Sequence, residues 1–304
     1  MYQAQRPFQS EFVKLRTLNY HVLTWGSPSP DKTALVMLHG WMDVAASFQF
    51  VVDALGEGFF KDRFILAPDW RGYGLTRAPE VDNFWFPDYL ADLDFLLDHY
   101  AADQAVDLLG HSMGGNVAML YAGVRPERIR RLINLEGFGM PATQPDQAPA
   151  RYARWIDELK RLHRGELDLK SYADVTGVAQ RLMKTNPRLN EDKAAWLARH
   201  WARENPAGQW EILGAAAHKV VSAHLYQLEE ALACFRAIRA PLLSVQASDN
   251  QMDKWWQGRY TLAQYQDRLK NVPQVKQATV REAGHMLHHD QPQQVAALIE
   301  SFLA

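Results

Sequence analysis

Asp107-Leu108-Leu109-Gly110-His111-Ser112-Met113-Gly114-Gly115 is the stretch that decides how this chain folds. Its apolar run stops at Gly110, Ser112 follows two residues later, and Asn116-Val117-Ala118-Met119-Leu120-Tyr121 continues as a helical stretch after the paired glycines. Gly-x-Ser-x-Gly between a strand and a helix is the pattern of a sharp turn that presents a serine hydroxyl clear of its own backbone. A hydroxyl is a weak nucleophile unless it is held against a base. A turn tight enough to present it strains the serine and leaves no room for a Cβ two residues to either side, so glycine stands there. The first N–H groups of the helix point toward the serine and favour negative charge. The competing reading is a plain structural turn, since five residues with two glycines are common; the strand before and the helix after favour the nucleophile.

Outward from this stretch, strand and helix alternate. Phe12–Arg16 and Asn19–Trp25 read as extended segments, and Ala34–Leu38 and Phe64–Ala67 are continuous apolar runs of the kind buried on both faces of a parallel sheet. They end in His39-Gly40-Trp41 and in Asp69-Trp70-Arg71-Gly72-Tyr73-Gly74. A helix is expected from about Pro87 to His99, with Leu90, Leu93, Leu96 and Leu97 at helical spacing. Arg131–Leu135 is the next strand, followed by Glu136-Gly137-Phe138-Gly139-Met140. Pro241–Val245 and Gln277–Val280 are further strands, and Pro292 suits the first position of a last helix bearing Val295, Leu298, Ile299 and Phe302. This alternation predicts an α/β protein with a mostly parallel, doubly wound sheet.

Between about 141 and 238 the alternation stops. The segment reads as a helical insertion without strands of its own: Tyr152, Trp155, Ile156, Leu159 and Leu162 share one helical face, Asn190 caps a helix bearing Trp196, Leu197, His200 and Trp201, and 210–237 is read as further helix. The expected division is therefore a core of 1–140 and 239–304 with a cap, or lid, of 141–238. Aromatics at helical spacing usually pack a cap's own core, so one or two of Tyr152, Trp155, Trp196, Trp201 and Trp210 at most are expected to face a ligand.

Composition bounds the function. The chain has 304 residues, 47 % hydrophobic and 22 % charged, with a formal net charge of −2. Such a balance gives no electrostatic reason to expect nucleic acid or an anionic membrane as partner. No apolar run approaches the ~18 residues of a membrane span. The first residues lack the apolar core of a secretory signal, so the expected compartment is cytoplasmic. The single cysteine, Cys234, excludes an internal disulfide, fits a reducing compartment, and reads as a buried, inert thiol in a helix. No P-loop, Gly-x-Gly-x-x-Gly or Cys/His metal-ligand spacing is present, and neither a cofactor nor a metal is expected.

The four ordered motifs, His39-Gly40-Trp41, Asp69-x-Arg71-Gly72-x-Gly74, Gly110-x-Ser112-x-Gly114 and Gly284-His285, resemble those of the α/β-hydrolase fold superfamily, and the turn Leu135–Gly139 looks closest to its serine-hydrolase-like branch. The resemblance covers 12–139 and 240–304 and places the insertion where that family carries its cap. It implies that Ser112 is the nucleophile and His285 the general base and then acid. It also implies an oxyanion hole made by the backbone N–H groups of Trp41 and Met113. His39, Asp69 and Arg71 are expected to brace loops, His111 to face the pocket wall, and His288 and His289 to sit on a helix surface.

The acid has two candidates. The usual position follows the strand at 241–245, where Asn250 stands in place of the acid and Asp249 comes one residue early. Glu136, at the end of the strand after the nucleophile helix, is the other, preferred because of Asn250. The implied activity is hydrolysis of a small or medium, largely apolar carboxylic ester through an acyl-enzyme. Thioesterase, lactonase, C–C hydrolase and cofactor-free perhydrolase chemistry use the same triad. A non-catalytic ligand-binding protein of the same fold is the alternative from another class.

Overall fold

The apolar runs of the sequence become a twisted sheet whose carboxyl edge collects every motif loop. The structure, a computed structural model, describes residues 2–29, 31–79 and 81–304. Two antiparallel strands open it, β1 (Gln9–Leu15) and β2 (Leu18–Trp25), followed by β3 (Thr33–Leu38), β4 (Arg63–Pro68), β5 (Val106–His111) and β6 (Ile129–Leu135). Short strands β7 (Ser171–Tyr172), β8 (Ala202–Glu204) and β9 (Trp210–Ile212) lie within the insertion, and β10 (Leu242–Ala247) and β11 (Val275–Val280) return to the main sheet. The main sheet runs β1-β2-β4-β3-β5-β6-β10-β11 and is parallel from β4 to β11.

Alternate strand residues face opposite sides, as the period of two requires. Leu35, Met37, Ile65, Leu109, Ile133 and Val245 join one apolar cluster with helices α1 (Gln49–Ala54) and α12 (Pro292–Leu303). Val36, Leu38, Leu66, Leu108 and Leu132 join the other, on α3 (Pro87–Ala101) and α4 (Met113–Val124). A short helix, α2 (Glu57–Lys61), precedes β4. Each fully buried branched side chain stabilises the fold by about 1.5–3 kcal/mol.

The insertion contains helices α5 (Ala148–His163), α6 (Val175–Thr185), α7 (Glu191–Trp201) and α8 (Leu228–Ala237). The expectation of an insertion without strands is corrected: β7, β9 and β8 form a three-stranded antiparallel sheet, and Trp210–Ile212 is strand rather than helix. These pieces are two and three residues long, too short to show period-two patterning. Asn190 caps α7 by accepting from the Lys193 N–H. Val178, Leu182, Leu189 and Leu197 join the first core cluster, and Trp196 and Trp201 pack on it, so the insertion is cemented to the sheet through its own aromatics. Cys234 on α8 is half-buried rather than buried, and burial pushes its thiol pKa up. After β10 come α9 (Met252–Trp256), α10 (Leu262–Leu269) and α11 (Leu287–Asp290).

The loop after β4 is held by a buried charge cluster. Arg71 clasps Asp92 through Nε (2.5 Å) and Nη2 (2.7 Å), and its Nη1 lies 3.0 Å from Asp88. Asp92 also accepts from Tyr20 and from Arg16 at 2.9 Å. Removing one partner of a buried pair leaves the other charge uncompensated. Asp92→Ala is expected to destabilise the fold by about 3–5 kcal/mol in urea unfolding, and Asp88→Ala, at the half-exposed end of the cluster, by less than half of that.

Candidate active site

The site is built where β5 ends and α4 begins. Ser112 has φ 52° and ψ −115°, a strained backbone for a residue with a side chain. Two close approaches enforce the turn. A Cβ on Gly110 would lie 2.2 Å from the Gly114 carbonyl oxygen, and one on Gly114 would lie 2.2 Å from the Leu38 carbonyl oxygen of β3. The Ser112 N–H donates to the Leu135 carbonyl at 2.8 Å, tying the turn to β6.

His285 arrives from the loop after β11 and joins the serine to a carboxylate. Its Nε2 lies 3.0 Å from Ser112 Oγ and its Nδ1 lies 3.2 Å from Glu136 Oε2. An ionised carboxylate only accepts, so Nδ1 carries the proton and the Nε2 lone pair is left for the serine hydroxyl. Glu136 is buried at 2 % exposure and accepts a second hydrogen bond from the Ala247 N–H at 2.6 Å. Burial raises its pKa, against the lowering effect of the His285 and Ala247 hydrogen bonds. The turn around it is shaped by Asn134, which accepts from the Gly137 N–H at 3.0 Å and donates to the Gly137 carbonyl at 2.8 Å.

Of the two acid candidates, Glu136 faces His285. Asp249 points elsewhere: its carboxylate is paired with Arg188 and accepts from Ser248, on an exposed surface. The end of β10 thus contributes to the site the backbone N–H of Ala247.

The remaining motif residues brace the loops. His39 donates from Nδ1 to the Gly40 carbonyl (2.8 Å) and accepts at Nε2 from the Trp70 N–H (2.9 Å), and burial holds its pKa down. Asp69 accepts from the Ala45 and Leu75 N–H groups and pairs with His21. His111 is buried behind the site and its Nε2 donates to the His285 carbonyl at 2.8 Å. It therefore steadies the histidine turn rather than lining a pocket wall. His288 and His289, expected on a helix surface, are buried at 0 and 3 % exposure. The backbone N–H groups of Trp41 and Met113 have no acceptor among the described residues. Trp255, which sequence reasoning passed over, sets its ring edge-on to His285 at 4.5 Å. Its signal in the sequence is the Trp255-Trp256 pair just past Asp249 and Asn250. Trp41 and Trp255 are 54 and 41 % exposed, giving the site an aromatic rim.

Strained backbone gathers here as well. Ser112, Glu136 and Glu282 have φ of 52°, 58° and 54° within two residues of the carboxyl ends of β5, β6 and β11, and Met42 has φ 53° in the loop after β3.

A second serine–histidine–aspartate series shows what such a set lacks without the turn. Ser10 Oγ lies 2.7 Å from His21 Nε2, and His21 Nδ1 lies 2.7 Å from Asp69 Oδ2. Ser10 sits on edge strand β1 rather than at a strand-to-helix turn. A cavity of about 250 Å³ beside it is lined by Phe8, Leu23, Trp210, Leu213 and Arg199 among others, and does not include Ser112.

Comparison with known proteins agrees with this architecture. The model of the α/β-hydrolase fold matches residues 33–292, and the chain belongs to that family. A serine hydrolase-like protein of Danio rerio is 25 % identical over 284 residues, 92 % of this chain and 83 % of that one. A serine hydrolase-like protein of Dictyostelium discoideum is 33 % identical over 129 residues, 41 % of this chain and only 34 % of that one. Among solved structures, the thioesterase domain from the curacin biosynthetic pathway superposes with a TM-score of 0.79 at 21 % identity, covering 97 % of this chain and 99 % of that chain. No helix among the described residues is long and apolar enough to cross a membrane.

Glu136 has a pKa raised by burial, so its ionised form opposes folding at neutral pH and its contribution is lost as pH rises through that raised value. Glu136→Gln, which can keep the bond from Ala247, is expected to melt at or above the parental temperature at pH 7. The difference should shrink toward pH 4, near the ordinary glutamate value of about 4.3. Thermal scans across that range check it.

Proposed function

We propose that this chain is a serine hydrolase that cleaves a carboxylic ester through an acyl-enzyme on Ser112. The observation that carries the reading is the unbroken hydrogen-bond run Ser112–His285–Glu136, with a strained serine at one end and a buried carboxylate at the other. In this reading His285 Nε2 takes the hydroxyl proton as Ser112 Oγ attacks the ester carbonyl. Glu136 holds the ring and stabilises the imidazolium that forms. The N–H groups of Trp41 and Met113 receive the developing oxyanion. The imidazolium then gives its proton to the departing alcohol, and a water activated by the same nitrogen hydrolyses the acyl-serine. The aromatic rim of Trp41 and Trp255 supports a largely apolar acyl or alcohol group. The division into a core of 1–140 and 239–304 and a cap of 141–238 belongs to the same proposal, with the cap covering the cleft.

The test is a fluorophosphonate probe followed by p-nitrophenyl esters of graded acyl length and a matched thioester. Labelling should be lost in Ser112→Ala. A folded parental protein that takes no label would favour a non-catalytic ligand-binding protein instead. Glu136→Gln should lower turnover by about 10³- to 10⁴-fold, since the amide can impose the wrong tautomer on His285. Asp249→Asn should stay within about twofold. If Asp249→Asn shows the large loss and Glu136→Gln does not, the acid is misassigned.

A further inference from the structure

Behind the site lies a group of buried polar side chains that the proposed chemistry does not use. Asp43, on the loop after β3, meets His288 and His289 of α11. One ligand atom from each lies within 4.8 Å of the others, and all three residues are buried. Asp43 is divided in two. Its Oδ1 accepts from the Val44 N–H (2.9 Å), the Trp201 indole (3.1 Å) and Ser47, while its Oδ2 has no partner. Both nitrogens of His288 and Nε2 of His289 are likewise buried without a partner. Four orphaned polar atoms on three neighbouring buried residues are far from ordinary, because each buried unsatisfied group costs about 1–3 kcal/mol.

His288 Nε2 stands 3.8 Å from Asp43 Oδ2, too far for a direct hydrogen bond. A cation between the groups resolves this. Two ligands each about 2.0–2.2 Å from one ion stand roughly 3.3 Å apart at a tetrahedral angle, so closing this set needs shifts of about an ångström or less. Two imidazoles with one carboxylate suit zinc and its first-row neighbours. Lys193, whose ammonium donates to the His289 carbonyl at 3.2 Å, is a cation at the rim.

We propose that Asp43, His288 and His289 bind one divalent transition-metal ion, of zinc-like ligand preference, with one coordination position left for water. The ion fastens the loop that carries Trp41 to the short helix that follows His285, and so acts as a structural clamp between two sides of the cleft. The ligands stand 245 positions apart in the chain (288 − 43), which is why no ligand spacing is visible in the sequence.

The test reads metal, not turnover, so it stands or falls apart from the ester-hydrolase proposal. Protein grown with zinc and gel-filtered in EDTA should retain about one equivalent by elemental analysis. Protein grown with cobalt as the replacement ion should show the visible absorption of tetrahedral Co²⁺. Asp43→Asn and His289→Gln should each lose the ion. Parental protein that emerges metal-free from both cultures overturns the proposal, as does metal content unchanged in both variants. Should the variants fail to fold, the cobalt spectrum of the parental protein decides: a tetrahedral band supports the site, and its absence from folded protein rejects it.

Discussion

The close approach of backbone to backbone at the carboxyl ends of β3 and β5 is the constraint on which the site depends. With Gly114 against the Leu38 carbonyl and Gly110 against Gly114, there is no space for even a methyl group between the Ser112 turn and its neighbour strand. The turn cannot relax outward either, because the Ser112 N–H is held by the Leu135 carbonyl. Strain at Ser112 is thereby over-determined by packing on both sides, which is how a costly φ persists in a folded chain. Every other group of the site is arranged relative to this fixed point.

The carboxylate follows from strand pairing rather than from the local pattern. β6 and β10 pair in parallel with Asn134 opposite Ser244 and Leu135 opposite Val245. The next step along β6 brings the Glu136 N–H to the Val245 carbonyl at 3.0 Å, and the side chain turns back to the Ala247 N–H. Glu136 thereby reaches His285 from the end of β6. Asp249 is instead spent on Arg188 from the insertion.

Much of this was readable in the residues, and the exceptions have physical causes. Strands buried on both faces are written as continuous apolar runs, so β3 to β6 and β10 were legible to within one or two residues. Glu136 and Asp249 could not be separated from sequence, because the register of β6 on β10 leaves no trace in either strand. Gln257, at φ 50°, ends α9, and Thr261 opens α10 with a capping box to Gln264. That box was in the sequence as Thr-Leu-Ala-Gln and marks the true start. His288 and His289 were misplaced because polar residues one turn past a site histidine carry no mark of burial; only the packing of Phe48 and Phe50 against their rings reveals it.

The insertion is fastened to the loops that form the site, not only to the sheet beneath them. Trp201 reaches Asp43 beyond the Trp41 loop, and the Trp41 indole donates to the His218 carbonyl at 3.3 Å. On the other side, Asn186 donates to Asp290 at 2.8 Å, and Asp290 in turn accepts the Gly284 N–H next to His285. Each of these is a modest interaction, worth about 1 kcal/mol on its own. Together they act on two strained turns, at Met42 and Glu282, whose conformations no long apolar run enforces. The insertion therefore ties the loop after β3 and the turn before His285 to a serine turn that the sheet has already fixed.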